Sequence, residues 1–266
     1  MTLDSTLAVE GDLRAEPKPR SARWRRRLLW LVSLGVIGTL WQGAISWHWV
    51  SRLVLAAPTD IYDAARQNGT QFLGQFGLTV VEVVVATAIV WVVSVSAGAL
   101  IAMSSLMYDA FMPILYSLYG IPWIIVYPLF VVWFGLGPSS KIIYACFAIV
   151  PVTASTAAAV RSVDRRYVEL AHAYGATRRQ IVVRILIPAS ARGVVAAMRL
   201  GSALVIIGVL ISQILGSTQG IGFLISYYRT LLDTGQVYLG ILFAIVLAVG
   251  GTALLRQLER LFGPRG

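Results

Sequence analysis

The sequence predicts an all-α integral membrane protein with about six transmembrane helices. Of its 266 residues, 58% are hydrophobic and only 13% are charged, whereas a soluble chain carries about 25% charged residues. Apolar stretches run through the whole chain, so too little polar surface remains to cover a water-soluble globule. The mean hydropathy of +0.76 agrees with a chain surrounded by lipid.

The amino-terminal segment is polar and basic. Residues 1–27 contain two prolines and end in a cluster of arginines, which is typical of a disordered cytoplasmic tail with a membrane anchor. The apolar stretch 28–50 would extend about 34 Å as a helix, enough to cross a bilayer. Because the apolar core of a signal peptide has about 7 to 15 residues, we predict a retained first span rather than a signal peptide.

Five further apolar stretches are long enough to span a bilayer, so residues 28–266 form one predicted transmembrane domain. The third of the six spans is interrupted by Pro122 and Pro128. Proline kinks a membrane helix and frees backbone carbonyls, so this break is either a packing kink or part of a translocation path. The five stretches are 78–103, 110–134, 142–160, 194–215 and 237–255.

The basic residues predict the orientation of the chain in the membrane. With the amino terminus inside, eighteen of the 22 Lys and Arg residues fall on the inner side and four fall outside. Cytoplasmic segments of membrane proteins carry such an excess, so both termini are predicted to be cytoplasmic. The net charge of +10 comes from these short segments, a pattern that argues against nucleic acid as a partner.

The inner segment 161–193, between the fourth and fifth spans, predicts two short helices. Asp164 is placed to cap the first helix, and Gly175 permits the left-handed backbone that ends it. The second helix is predicted from about Thr177 to a break at Pro188. It is amphipathic, because one face carries the apolar residues Ile181, Val182, Ile185 and Leu186.

The first of these helices resembles the EAA loop of ABC-importer permeases. Glu169, Ala171 and Gly175 match the motif, and Leu170 stands where the family usually has Ala. The likeness extends from about residue 57 to the carboxyl terminus, and several motifs occur in the order found in the nitrate, sulfonate and taurine branch. These motifs are the two prolines before W-F-G-L-G at 133–137, V-R-S-V-D at 160–164, and G-S-T-Q-G-I-G at 216–222.

The resemblance implies that segment 161–193 contains a coupling helix that docks on a separate ATPase subunit. Without the resemblance, an interfacial helix that merely connects two spans would be the favoured explanation of the segment. No G-x-x-x-x-G-K-[ST] motif is present, so this chain is expected to bind no cofactor, and ATP and Mg would be used by the partner. The implied coupling residues are Asp164, Glu169, Leu170, Ala171, Gly175, Ala176 and Arg178.

By the same resemblance, the chain is expected to be a permease subunit that moves a small solute across the cytoplasmic membrane by alternating access. The solute class of the branch is sulfonates, taurine, nitrate or related organic anions. The implied partners are two ABC ATPase subunits, a second permease subunit that is identical or related, an extracytoplasmic substrate-binding protein, and membrane lipid. The chain itself is not expected to be an enzyme.

Polar and aromatic residues within the spans are candidates for the translocation path, because polar groups are costly in lipid. Tyr119, Pro122 and Trp123 surround the proline break, where ordinary packing or an aromatic belt is the alternative. Ser212 and Gln213 lie near the outer end of the fifth span. For Gln213 the alternative is a hydrogen bond between helices.

Two further features lie near the outer face. Glu82 falls about one turn into the second span, and we expect its side chain to reach the outer interface. Family members often carry a basic residue near this position, and often Glu where Gln213 stands, so both residues depart from the pattern. Gly216, Gly220 and Gly222 belong to a loop that in relatives helps to open the binding protein, although any tight turn also needs glycine.

Two other functional classes are disfavoured by the sequence. A secondary transporter or channel would favour acidic residues at the membrane centre, whereas Glu82 and Asp109 lie near span ends. A membrane enzyme would need clustered His, Asp or Glu, and the isolated His48 and His172 fall on opposite faces. Cys146 is the single cysteine, so no catalytic or metal site is predicted.

Overall fold

A computed structural model describes residues 20–47 and 51–262 of the chain. Every regular element among these residues is helical, which confirms the all-α class. The part of the predicted tail up to residue 19, and the end of the predicted first span with His48, lie outside the described residues. The chain divides into two units, Met1–Ser51 and Arg52–Gly266.

The first unit contains the helix α1 (Arg20–Ser46), which includes the arginines that the sequence analysis placed in the tail. The described part of the second unit consists of ten α-helices joined by short turns and by three short 3₁₀ or π segments. The helices are α2 (Pro58–Ala102), α3 (Ser105–Tyr119), α4 (Tyr127–Phe134), α5 (Pro138–Ala145), α6 (Ile149–Arg161), α7 (Arg165–Ala173), α8 (Arg178–Ile181), α9 (Ile187–Gly216), α10 (Ile221–Thr230) and α11 (Thr234–Phe262).

Within the described residues, four helical stretches are long and apolar enough to cross a membrane, and the bent pair α3 and α4 would make a fifth. Each of the five spans predicted from residue 78 onward overlaps one of these stretches. The total of six spans stays a prediction. The two halves of the third predicted span differ in direction by 75°. Pro122 lies in this break, as the sequence predicted, whereas Pro128 lies in the first turn of α4 and does not interrupt it.

The second predicted span begins much earlier than its apolar stretch indicates. Its helix α2 has 45 residues and starts at Pro58, about 68 Å in all, which exceeds the thickness of a bilayer. The start is fixed locally, because Pro58 suits a first helical turn and Asp60 accepts a hydrogen bond from the Ala57 amide at 3.0 Å. The segment 51–77, which the sequence predicted as a polar connection, is therefore mostly helical.

The predicted helix break at Pro188 is wrong. The chain passes from α8 through a π-helical turn (Val182–Leu186) directly into α9. Pro188 has no N–H to donate to the carbonyl four residues earlier, and its ring would crowd that carbonyl in a regular helix. The wider π turn accommodates both effects, so the helix continues.

The core of the second unit lies where α2, α5, α6, α9 and α11 meet, and small residues let these helices approach closely. A Cβ atom added at Gly98 of α2 would lie 2.7 Å from Thr156 Cβ and 2.8 Å from the Thr153 carbonyl oxygen of α6. The α2–α6 contact therefore requires glycine at this position.

Candidate functional site

Segment 161–193, in which the sequence predicted a coupling helix, contains the helix α7. This helix has an N-cap at Asp164 and ends before Gly175. Asp164 Oδ1 accepts a hydrogen bond from the Arg166 amide at 2.9 Å, at the start of α7. At the other end, the Ala176 amide donates to the Ala171 carbonyl at 3.0 Å and the Gly175 amide donates to the His172 carbonyl at 2.9 Å. This pair of bonds is a Schellman motif, and φ of +74° at Gly175 confirms the predicted left-handed backbone.

The side chains of α7 face outward. Leu170 is 57% exposed and Tyr174 is 84% exposed, while Glu169 pairs with Arg165 across 3.2 Å on the exposed surface. None of the extended helix–helix contacts of the described residues involves α7. The helix therefore presents an apolar and charged surface that the rest of the described chain does not cover.

The segment that follows α7 ties this surface to the membrane domain. The Thr177 hydroxyl and the Gln180 side chain form a capping box at the start of α8. Ile181 is 4% exposed, and Arg178 and Arg179 lie on the exposed side. The apolar face predicted for this helix therefore anchors it, and its cations face outward.

A buried ion pair lies near the other end of the spans, and it corrects the expectation for Glu82. The side chain of Glu82 does not reach an interface, because it is 4% exposed and its Oε1 lies 2.5 Å from Lys141 Nζ. Lys141, which directly precedes the predicted fourth span, is fully buried in α5. The free-energy cost of burying a carboxylate and an ammonium is lower when the two groups pair.

The ion pair continues into a hydrogen-bond network with α9. Gln213 Nε2 donates to Glu82 Oε2 at 2.7 Å and to Thr79 Oγ1 at 3.1 Å. Gln213 Oε1 accepts from the Gly222 amide at 2.9 Å. Both ends of the Gln213 amide are thus occupied by groups that match their donor or acceptor character.

This network also binds the backbone that precedes and begins α10. The first amides of a helix have no partner within it. Here the Ile221 amide donates to Thr79 Oγ1 at 3.0 Å, the Gly220 amide donates to Gln75 Oε1, and Lys141 Nζ lies 3.5 Å from the Gln219 carbonyl oxygen. The loop 217–222 is therefore attached to α2, α5 and α9.

The glycines of this loop fit closely around Gln213. Gly220 has φ of +104°, and a Cβ there would lie 2.3 Å from Gln213 Cδ. A Cβ at Gly222 would lie 2.6 Å from the Leu210 carbonyl oxygen. Gly220 and Gly222 are buried, the Gly216 carbonyl accepts a hydrogen bond from Tyr127 at 2.8 Å, and Thr218 is the exposed residue of the loop.

The predicted path residues do not share one open cavity. Tyr119 is half exposed and lines a recess of about 190 Å³, and Pro122 is exposed. Trp123 stacks on Phe147 at 5.0 Å. Ser212 is fully buried and bonds to its own helix, and Gln213 makes the hydrogen bonds between helices that the sequence analysis gave as the alternative.

An apolar recess that the sequence analysis did not identify lies beside the proline break. It has a volume of about 500 Å³. The recess is lined by Ile124, Ile125, Tyr127, Pro128, Val131, Leu136, Leu215 and Gly216.

No group of three or more His, Cys, Asp or Glu within the described part of the chain is arranged to hold a metal ion.

Residues 92–265, which include segment 161–193 and the loop 217–222, match the model of the family described as "Binding-protein-dependent transport system inner membrane component". The chain belongs to this family. It is thus a multi-pass membrane component of a transport system, and the resemblance to ABC-importer permeases is confirmed.

Three curated relatives carry transport permease names. The chain is 27% identical to the putative aliphatic sulfonates transport permease protein SsuC of Bacillus subtilis, over 89% of this chain and 88% of that protein. It is 25% identical to the taurine transport system permease protein TauC of Escherichia coli, over 90% and 93%. It is 30% identical to the formylaminopyrimidine transport permease protein ThiX of Halalkalibacterium halodurans, over 57% and 61%.

The fold is similar to that of a solved transporter. A chain of the MetNI methionine ABC transporter, crystallised in an inward-facing conformation, superposes with a TM-score of 0.57. The superposition covers 70% of this chain and 95% of that chain at 19% sequence identity. The chain therefore shares its fold with that transporter chain.

Proposed function

We propose that this chain is the permease subunit of an ATP-binding-cassette importer that carries a sulfonate, taurine or a related small organic anion into the cell. The family and the fold support the transport class. The names of two relatives that match over most of both chains support the solute class. Both termini lie in the cytoplasm, as the distribution of Lys and Arg predicts.

The observation that carries this proposal is the uncovered surface of α7. Tyr167, Leu170 and Tyr174 are each more than half exposed on a helix that makes no extended contact with the described chain. Exposed apolar side chains grouped in this way mark a protein interface. The rigid Schellman end at Gly175 presents this surface to an ATPase subunit, which supplies the ATP and Mg chemistry; this chain binds neither.

The implied complex contains two ATPase subunits, two permease subunits and a binding protein outside the membrane. ATP binding draws the ATPases together, and each coupling helix moves with its ATPase as a rigid body. Asp164, Ala171 and Ala176 shape the coupling helix, whereas Glu169 and Arg178 offer charges to the partner. The path then alternates between the two membrane faces.

The path and the outer contact are proposed from the same fold. Tyr119, Pro122 and Trp123 lie at the bend between α3 and α4, where the direction of the chain changes by 75°. Ser212 and Gln213 lie behind the outer loop at the end of the path. The loop 217–222, with Gly216 before it, receives the binding protein through its exposed part at Thr218.

The test is a single substitution on the coupling surface with a matched control. Leu170→Asp places a charge on the proposed interface, and Leu231→Asp changes a leucine with the same exposed fraction, 57%, at the end of α10. We expect Leu170→Asp to weaken binding of the ATPase that co-purifies with the tagged chain by about 30-fold, the loss of one interface hot spot. Leu231→Asp should leave this binding unchanged.

The same preparation separates the proposal from a transporter that works alone. Proteoliposomes holding only this chain should carry no solute, and addition of the ATPase, ATP and binding protein should start uptake. The proposal fails if no ABC ATPase co-purifies, or if Leu170→Asp retains the ATPase as the control does.

A further inference from the structure

We propose that Glu82, Lys141, Gln213 and Thr79 are positioning residues that hold the loop 217–222 to three spans, so that a binding protein engaging the loop acts directly on those spans. This inference rests on the proposed function, because it assigns a role in signal transfer to residues of the same transport system. It starts from the only ion pair among the described residues whose two side chains are both buried.

Glu82 fixes the directions of the hydrogen bonds around Gln213. The Glu82 carboxylate accepts from Lys141 through one oxygen and from Gln213 through the other. Because the carboxylate only accepts, the NH₂ group of Gln213 must face Glu82. The Gln213 carbonyl oxygen must then face the Gly222 amide, which it contacts at 2.9 Å. The ion pair thus fixes which groups Gln213 offers to the loop.

Burying the two charges of Glu82 and Lys141 costs free energy of desolvation. Buried ion pairs are often replaced by apolar residues without loss of stability, so simple anchoring of the helices would not need charges here. The backbone amides of the loop, however, need acceptors at defined positions. The ion pair meets this need indirectly, because Glu82 fixes the orientation of the Gln213 amide, whose oxygen accepts from the Gly222 amide. The polar network therefore serves the position of the loop rather than the packing of the spans.

The loop can transmit a force to the helices that hold it. Its amides are bonded to side chains of α2 and α9, and its Gln219 carbonyl lies near Lys141 of α5. Gly220 and Gly222 pack so closely on Gln213 that the loop cannot move toward the helix without displacing that side chain. A force on the exposed Thr218 is therefore passed to three helices, α2, α5 and α9.

The test uses the complete complex reconstituted in nanodiscs, with the binding protein added in increasing amounts. The double variant Glu82→Gln and Lys141→Met removes the ion pair without leaving an unpaired charge. We expect its ATPase rate without binding protein to stay within about two-fold of the unchanged complex. The binding-protein concentration for half-maximal stimulation should rise about ten-fold, which corresponds to one lost buried hydrogen bond.

A second variant and a control keep the test decisive if the double variant does not assemble. Thr79→Val removes the acceptor of the Ile221 amide and leaves the ion pair in place, so it should give the same shift and faster hydrogen exchange in 217–222. Thr252→Val removes a hydroxyl that bonds only within α11 and should change neither property.

Three results would overturn the inference. They are an unchanged half-maximal concentration in the double variant or in Thr79→Val, a fall of the unstimulated and stimulated rates by the same factor, and loss of assembly in both variants. The last two would assign the network to structure alone. Failure of the proposed function is seen separately, because the unchanged complex would then show no ATPase stimulation by any binding protein.

Discussion

At the scale of single residues, two glycines with positive φ show different reasons for being glycine. Gly175 at the end of α7 has open space where a Cβ would lie, so only its backbone conformation disfavours other residues. Gly220 has a positive φ as well, but a Cβ there would also overlap the buried Gln213 side chain. Gly175 is needed for the backbone turn that ends α7, whereas Gly220 is needed both for its backbone conformation and for the close packing of the loop 217–222 on Gln213.

This contrast predicts unequal effects of alanine. Gly175→Ala should cost about 1 kcal/mol, the strain of a left-handed residue alone. Gly220→Ala adds overpacking against Gln213 and should cost about 3 kcal/mol in total. Thermal unfolding of the two variants in detergent should show the larger loss of Tm for Gly220→Ala. Equal losses would mean that the fit around Gln213 does not constrain the loop.

At the scale of elements, local signals in the sequence predicted the coupling segment well. The cap at Asp164, the left-handed Gly175 and the start after Thr177 are each decided by a few neighbouring residues. The break expected at Pro188 did not occur, because a π turn, which has no sequence signature, absorbs the proline.

The outer network was not predicted, because its members are far apart in sequence. Glu82 and Gln213 are 131 positions apart, and no local pattern joins them. One signal was available: a glutamate within an apolar span requires a cation nearby, and Lys141 begins an apolar stretch. The predicted span boundaries and orientation placed Glu82 and Gln213 near the outer ends of spans, but only the packed structure shows that they meet.

The close contact of α2 and α6 at Gly98 predicts that a larger side chain there lowers the stability of the protein. Gly98→Leu would force a side chain into the space held by Thr153 and Thr156. We expect a loss of about 3 kcal/mol or more, because both the Thr153 backbone and the Thr156 side chain would have to shift. Gly77→Leu is the control, because a Cβ at Gly77 of α2 meets nothing within 4 Å. Similar Tm values for the two variants in detergent would show that α2 and α6 do not depend on this contact.

At the scale of the whole molecule, the two candidate regions must lie on opposite sides of the membrane if the chain couples a motor to a binding protein. Tyr174 on the coupling segment and Thr218 on the outer loop are both exposed. Because Cys146 is the single cysteine, a Cys146→Ala background lets each position be labelled alone. The orientation predicted from Lys and Arg places Tyr174 inside and Thr218 outside.

We therefore expect Thr218→Cys to react with a membrane-impermeant maleimide in intact spheroplasts, and Tyr174→Cys to react only after the membrane is opened. Labelling after detergent solubilisation checks that both cysteines are accessible in principle. Reaction of Tyr174→Cys from outside would place α7 where no ATP-hydrolysing partner can reach it, and would reject the coupling role. Reaction of both positions from the same side would reject the transfer of force across the membrane from loop to motor, since the two contact surfaces would then share one compartment.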